Sequence, residues 1–193
     1  DLAAPGVYIQ SAEAGTTGYV AKSGTSMATP VVSGAAALVV EEHPDWGPER
    51  LKSALVTTTD PIGYDAYTSG TGRLNATAAV GTDLIVDDPT TTVGNLSAGV
   101  TRTTLLNLTN VGSTQQTYSL SASATSLSGT SGNVSLNESS VTISPGETET
   151  VALDVTTDTS DGTYSGRVDI GDRHTASFGY VVFSKHTLSV EKL

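Results

Sequence analysis

Ser23-Gly24-Thr25-Ser26-Met27-Ala28-Thr29-Pro30-Val31-Val32-Ser33-Gly34-Ala35-Ala36-Ala37-Leu38-Val39-Val40 decides how the chain is read. Its first half is small and polar, with the Ser26 hydroxyl set among Gly, Thr and Ala. Its second half is a dense run of Ala, Val and Leu without a charge, long enough for a multi-turn core helix. A serine therefore stands where a loop becomes a helix. The first amides of a helix lack internal partners, and the dipole there favours negative charge. An oxyanion formed on an acyl group attacked by Ser26 would meet the Ser26 amide. Pro30 is read as a first-turn proline that costs no hydrogen bond. Gly34 is read as a point of close backbone approach, worth its cost of about 1 kcal/mol against Ala.

Gly24 to Gly34, eleven consecutive positions, resemble the serine signature of the subtilisin-like peptidases. The resemblance implies that Ser26 is the nucleophile of a Ser-His-Asp triad that cleaves peptide bonds through an acyl-enzyme. It implies a Thr25 hydroxyl near the oxyanion, against a plain helix-start role, and a substrate-lining role for the Gly24 and Ser23 backbone. It extends to Ala4-Pro5-Gly6-Val7 and Tyr19 ahead of the serine. Beyond the serine it takes in His43-Pro44, Trp46 to Leu55, and Gly70-Thr71-Gly72-Arg73-Leu74-Asn75, covering roughly residues 1–80.

In that family the catalytic Asp and His, and the Asn that donates to the oxyanion, precede the serine. The 25 residues ahead of Ser26 contain no His and no Asn, and Asp1 belongs to the Ala-Pro-Gly segment. The expectation is the C-terminal part of a longer precursor, divided inside its catalytic domain and inactive alone. In subtilisin, a member of the resembled family, loss of the triad Ser or His costs on the order of a million-fold in turnover. His43 lies down the same helix, about 25 Å from Ser26 at 1.5 Å per residue, so it is out of reach. A Ser, Asp, His order using Asp60 or Asp65 with His174 would need strand-helix alternation after the serine, which the sequence does not carry.

The 193 residues hold 20 acidic and 9 basic side chains, for a net charge of −11. That sign argues against a nucleic-acid partner. With four lysines, the composition favours a high-salt source over an ordinary acidic secreted protein. Cysteine is absent, so disulfide and thiol chemistry are too. No segment approaches the ~20 apolar residues of a membrane span.

Val7 to Ile9 reads as a short buried strand, Gly15 to Gly18 as a turn, and Tyr19 to Ala21 as extended. Pro44 stops the serine helix, Pro48-Glu49 open a second, Asp60 to Gly72 are loop, and Asn75 opens a last turn through Val80. After Val80 apolar and polar residues alternate, as in Val151, Leu153, Val155 and in Phe178, Tyr180, Val182. Turn signals such as Ser144-Pro145-Gly146 separate these runs. The fold class expected is an α/β fragment, the C-terminal portion of a subtilisin-like catalytic domain (1–80), followed by an all-β antiparallel sandwich of the Ig or fibronectin-III kind (81–193).

No cofactor or metal is assigned. Asp83, Asp87 and Asp88, and Asp154, Asp158 and Asp161, have carboxylates suited to structural calcium but lack a calcium-loop spacing, so a solvated acidic surface is the plainer reading. Asn75, Asn95, Asn107, Asn133 and Asn137 open Asn-x-Ser/Thr tripeptides, which a Ser- and Thr-rich chain also produces by chance. Trp46 and Tyr164 read as packing residues. The expected function is a secreted serine endopeptidase acting on polypeptides. The competing readings are a pseudoprotease and a non-catalytic binding or adhesion module built on the sandwich.

Overall fold

The apolar run of the serine segment forms helix α1 (Thr25–Glu42) in a computed structural model that describes residues 1–158 and 160–183. Three shorter helices follow: α2 (Pro48–Thr57), α3 (Ala66–Ser69) and α4 (Ala76–Val80). Pro48 begins α2 at a position where its missing amide has no helical partner to lose, and Glu49 sits in the first turn. The Asn75 side chain caps α4 by accepting from the Ala78 amide at 3.0 Å. Helix α3 falls within the segment read as loop. The Asp65 carboxylate nucleates it by accepting the Tyr67 and Thr68 amides at 2.9 and 3.1 Å. Hydrogen bonds, first from the Thr68 hydroxyl, hold that carboxyl below its usual range.

Ala35 and Val39 of α1 pack with Ala54 and Leu55 of α2 and Ala79 of α4 in one small cluster, against which Trp46, Leu51 and Leu74 lean. Most of α1 is exposed, Leu38 and Val40 included, so the expected core helix buries only one narrow stripe. Before it, β1 (Ile9–Ala12) and β2 (Tyr19–Lys22) form an antiparallel hairpin with Ile9 opposite Lys22. The strand expected at Val7 to Ile9 thus begins later, and it is not buried: Val7 is 71 % exposed.

Among the described residues, nine further strands make two sheets: β3 (Leu84–Val86), β4 (Thr90–Ser97), β5 (Thr101–Asn110), β6 (Gln116–Ser126), β7 (Asn133–Leu136), β8 (Ser140–Ile143), β9 (Thr148–Thr156), β10 (Gly162–Ile170) and β11 (His174–Phe183). One sheet runs β4-β11-β10-β6-β8 and the other β3-β5-β9-β7. The pairing corrects the all-antiparallel expectation at one place, because β4 lies parallel to β11. The apolar members of the alternating runs converge between the sheets, with Leu108, Ile143, Val155 and Ile170 at 0 % exposure. Burial of such side chains supplies roughly 25 cal/mol per Å² of apolar surface removed from water. Asn110 is a fully buried polar residue of this core. It donates to the carbonyls of Thr114 and Ile143 at 2.9 and 2.8 Å and accepts the Gly112 amide at 2.9 Å.

The helices dock on the sheets through polar contacts that alternation alone does not announce. Ser53, buried on α2, accepts the Val86 amide of β3 at 2.8 Å. This bond occupies part of a sheet edge that would otherwise present unpaired amides. The Tyr67 hydroxyl donates to the Tyr164 carbonyl at 3.2 Å, and Gly179 faces the Tyr67 ring where a Cβ would collide with it. No helix among the described residues is long and apolar enough to cross a membrane.

Candidate active site

Ser26 is the second residue of α1 and is exposed, at the point where β2 hands over to the helix. The turn that presents it depends on Gly24, the N-cap, whose φ of 152° is one that side chains with a Cβ rarely adopt. No side chain caps this end. The Gly24 carbonyl instead receives the amides of Met27 and Ala28 at 3.0 and 3.3 Å. The Thr25 and Ser26 amides come too early in the helix to have intrahelical carbonyls. The chemistry on offer is therefore a hydroxyl beside helix-terminal donors, the local requirement for an acyl-transfer nucleophile with oxyanion support.

Two hydrogen bonds brace the turn from behind. The Gly24 amide donates to the Gly6 carbonyl at 2.8 Å, and the Tyr8 amide donates to the Ser23 hydroxyl at 2.9 Å. The Ser23 side chain is thus spent on the preceding segment rather than on the helix. Tyr8 holds φ of 52° and its ring is 81 % exposed. Sequence reasoning did not mark Gly6 or Tyr8 as part of the site. The available signal was Gly6 itself, a glycine between Pro5 and Val7 shortly ahead of the serine segment.

Pro30 corrects the first-turn reading. Thr25 is the first helical residue, so Pro30 lies in the second turn, inside the helix. Its missing amide is the one that would have bonded the Ser26 carbonyl, four residues back. The residue bearing the hydroxyl therefore has a carbonyl released from the helical ladder. Gly34 corrects a second expectation, because a Cβ there would meet nothing within 4 Å. Further along, the Thr29 and Ser33 hydroxyls donate back to the Thr25 and Thr29 carbonyls at 3.0 and 3.2 Å, forming a polar strip down α1.

A groove of about 620 Å³ runs from Ser26 between the hairpin and the helix. Ile9, Val20, Met27, Pro30 and Val31 give it an apolar lining, and Lys22 and Glu13 supply one charge of each sign. Thr25 is exposed, and its hydroxyl makes no side-chain hydrogen bond among the described residues.

The two described histidines, His43 and His174, are engaged elsewhere. His43 bonds the Val80 carbonyl through Nε2 at 2.9 Å and stacks on Trp46, with ring centroids 3.8 Å apart. His174 is buried in the sandwich, 2.9 Å from the Thr82 hydroxyl, and burial pushes its imidazole down to about 4. His186 lies outside the described residues. Asp60 and His174 do line a common cleft, but Ser26 lines a different one. Asp60 is held there by Asn75 and Arg73, each at 2.9 Å, and these bonds keep its carboxyl below the usual range. Asp65 is committed to α3. The order of Ser26, Asp60 or Asp65, and His174 therefore has no geometric support.

The carboxylates considered for calcium are dispersed. Asp83 accepts from the Tyr118 hydroxyl at 3.4 Å, Asp87 from Asn107 at 3.4 Å, and Asp154 from the Thr103 hydroxyl at 2.6 Å. Among the described residues, no three His, Cys, Asp or Glu side chains gather as metal ligands would. Trp46 sits against the helical cluster, and Tyr164 stacks on Tyr180 in the sandwich with centroids 4.8 Å apart.

Residues 1–83 match the model of the Subtilase family. Among curated proteins, the subtilisin-like protease SBT3.10 of Arabidopsis thaliana is 49 % identical over 80 residues, covering 38 % of this chain and 10 % of that protein. SBT3.4 of the same plant, also a subtilisin-like protease, is 41 % identical over 107 residues, 45 % of this chain and 14 % of that protein. The chain thus spans about a tenth of the length of these relatives. Among solved structures, the ASH/PapD-like domain of human CEP192 aligns at 17 % identity and a TM-score of 0.42, over 55 % of this chain and 88 % of that one.

Proposed function

We propose that residues 1–80 are the serine-bearing end of a subtilisin-like serine endopeptidase domain, and that Ser26 is its nucleophile. The observation that carries this reading is the exposed Ser26 hydroxyl at the start of α1, on a glycine-dependent turn at the mouth of a groove. Ser26 attacks the scissile carbonyl, the bond to the amine leaving group breaks, and water then releases the acyl group. The Ser26 amide, with the Thr25 hydroxyl beside it, supports the oxyanion. Ser23 and Gly24 line the substrate through their backbone. The His, Asp and oxyanion Asn are supplied by a segment other than residues 1–193, so this segment alone is inert.

The remainder, 81–193, is an Ig- or fibronectin-III-like sandwich that serves as an accessory domain of a secreted enzyme. The excess of acidic residues suits a high-salt medium. The substrates are polypeptides, with neither a nucleic acid nor a cofactor taking part. The test is hydrolysis of a denatured protein by the full-length gene product and its Ser26→Ala variant. Loss of turnover by at least a thousand-fold, with folding intact, is the expected result, and retained turnover contradicts the reading.

A second reading, a binding module, draws on one feature. A cleft of about 390 Å³ between α3 and the outer face of β6, β10 and β11 is lined by Tyr64, Arg167, Ser123, Thr125 and Thr175. Saturable binding of the whole chain to a polymer, abolished by Tyr64→Ala, would favour it.

A further inference from the structure

The five Asn-x-Ser/Thr tripeptides are not equivalent once their side chains are placed. Asn75 caps α4 and donates to Asp60 at 2.9 Å. Asn107 donates to Asp87 at 3.4 Å and accepts the Thr150 hydroxyl at 2.9 Å. Asn137 accepts the Ala152 amide at 2.8 Å. In Asn137 only Oδ1 is engaged; the side chain is exposed, and its amide nitrogen makes no hydrogen bond among the described residues. Asn95 and Asn133 are exposed as well, and neither side chain makes a hydrogen bond among the described residues. Both also stand on outermost strands, Asn95 on β4 of the five-stranded sheet and Asn133 on β7 of the four-stranded sheet.

We propose that Asn95, Asn133 and Asn137 are the N-glycosylation sites of this protein, with Asn75 and Asn107, whose amide nitrogens bond Asp60 and Asp87, left bare. The proposal rests on the secreted reading above, because the modification takes place on the export route. The co-reactant is a lipid-diphosphate-linked oligosaccharide. The side-chain amide nitrogen forms a bond to the sugar C1, the C1–O bond to the diphosphate breaks, the lipid diphosphate leaves, and one amide proton passes to a base. At Asn95, Asn133 and Asn137 this replaces an N–H that no described side chain or backbone group accepts. At Asn75 it would force a glycan in beside the Asp60 carboxylate and the start of α4. The location has a physical consequence as well. The eight residues of β4 leave one side of the strand unpaired, which is a template for pairing with another chain. A glycan on Asn95 shields that side.

The experiment is glycopeptide mapping by mass spectrometry of the full-length protein purified from its source organism, followed by light scattering before and after enzymatic removal of the glycans. The expected result is glycan on Asn95, Asn133 and Asn137 only, with mass lost site by site in Asn95→Gln, Asn133→Gln and Asn137→Gln, and greater self-association after removal. Glycan on Asn75 or Asn107, or on none of the five, overturns the site assignment. Unchanged association after removal overturns the shielding role. Fluorophosphonate labelling of the same preparation reports on the peptidase reading separately, so the two can fail independently.

Discussion

The Gly6 α-carbon faces the Gly24 carbonyl so closely that a Cβ on Gly6 would lie 2.8 Å from that oxygen and 3.1 Å from the Ala28 Cβ. The carbonyl concerned is the one that gathers the first amides of α1, so the position of Gly6 sets the position of Ser26. Gly6→Ala is expected to displace the turn and lower peptidase turnover of the full-length protein more than ten-fold. The collision is with backbone, and its stability cost is ~1–3 kcal/mol. Turnover and thermal unfolding measured side by side check this. Full turnover in Gly6→Ala would show that the brace does not position the serine.

The buried Asn110 should be among the least replaceable polar residues of the sandwich. Asn110→Ala leaves two backbone carbonyls and one amide without their partner, at roughly 1–3 kcal/mol each for fully buried groups, though relaxation and water reduce the sum. A loss of about 3 kcal/mol by urea unfolding is expected. Asn110→Asp should be worse, because it removes both donors and buries a charge.

Stability should fall on acidification through a window set by His174. Its folded value of about 4 lies below the ordinary 6.5, so between these pH values the unfolded chain binds more protons than the folded one. Stability therefore declines as the pH drops from 6.5 towards 4, by about 3 kcal/mol in total, and levels off below. Burial is the main cause, with Arg173 acting in the same direction and Asp83 opposing. The lowered carboxyls of Asp60 and Asp65 act at lower pH, where their protonation removes the bonds that hold them. Urea titrations of the wild type and His174→Gln across pH 4–7 check this, and the variant should show the flatter profile.

Much of the helical half was legible because its punctuation is local. Pro48 and Asn75 mark the starts of α2 and α4 in the sequence as they do in the structure. Helix α3 was missed because four residues carry no periodicity, although Asp65 and Thr68 formed a readable cap. Pro30 was misplaced by one turn, since motif recognition gives the neighbours of Ser26 but not the residue at which the helix begins. Alternation showed which faces of β9 and β11 would be buried. It could not show that β4 runs parallel to β11, because strand direction is decided by the path of the chain between them. Nor could it show the Ser53 to Val86 bond, where a polar residue on an otherwise ordinary helix completes a sheet edge. At the site, Ser26 was legible from its motif. The bracing by Gly6 and Tyr8 was not, because it joins residues 15 or more positions apart, through the Gly6 carbonyl and the Tyr8 amide.

The most direct measurement is fluorophosphonate labelling of the full-length gene product, with the modified residue located by peptide mass spectrometry. The expected result is a single adduct on Ser26 that forms in the full-length protein, fails to form on residues 1–193 alone, and disappears in Ser26→Ala. An adduct on a different residue, or labelling that persists in Ser26→Ala, would contradict the assignment of the nucleophile.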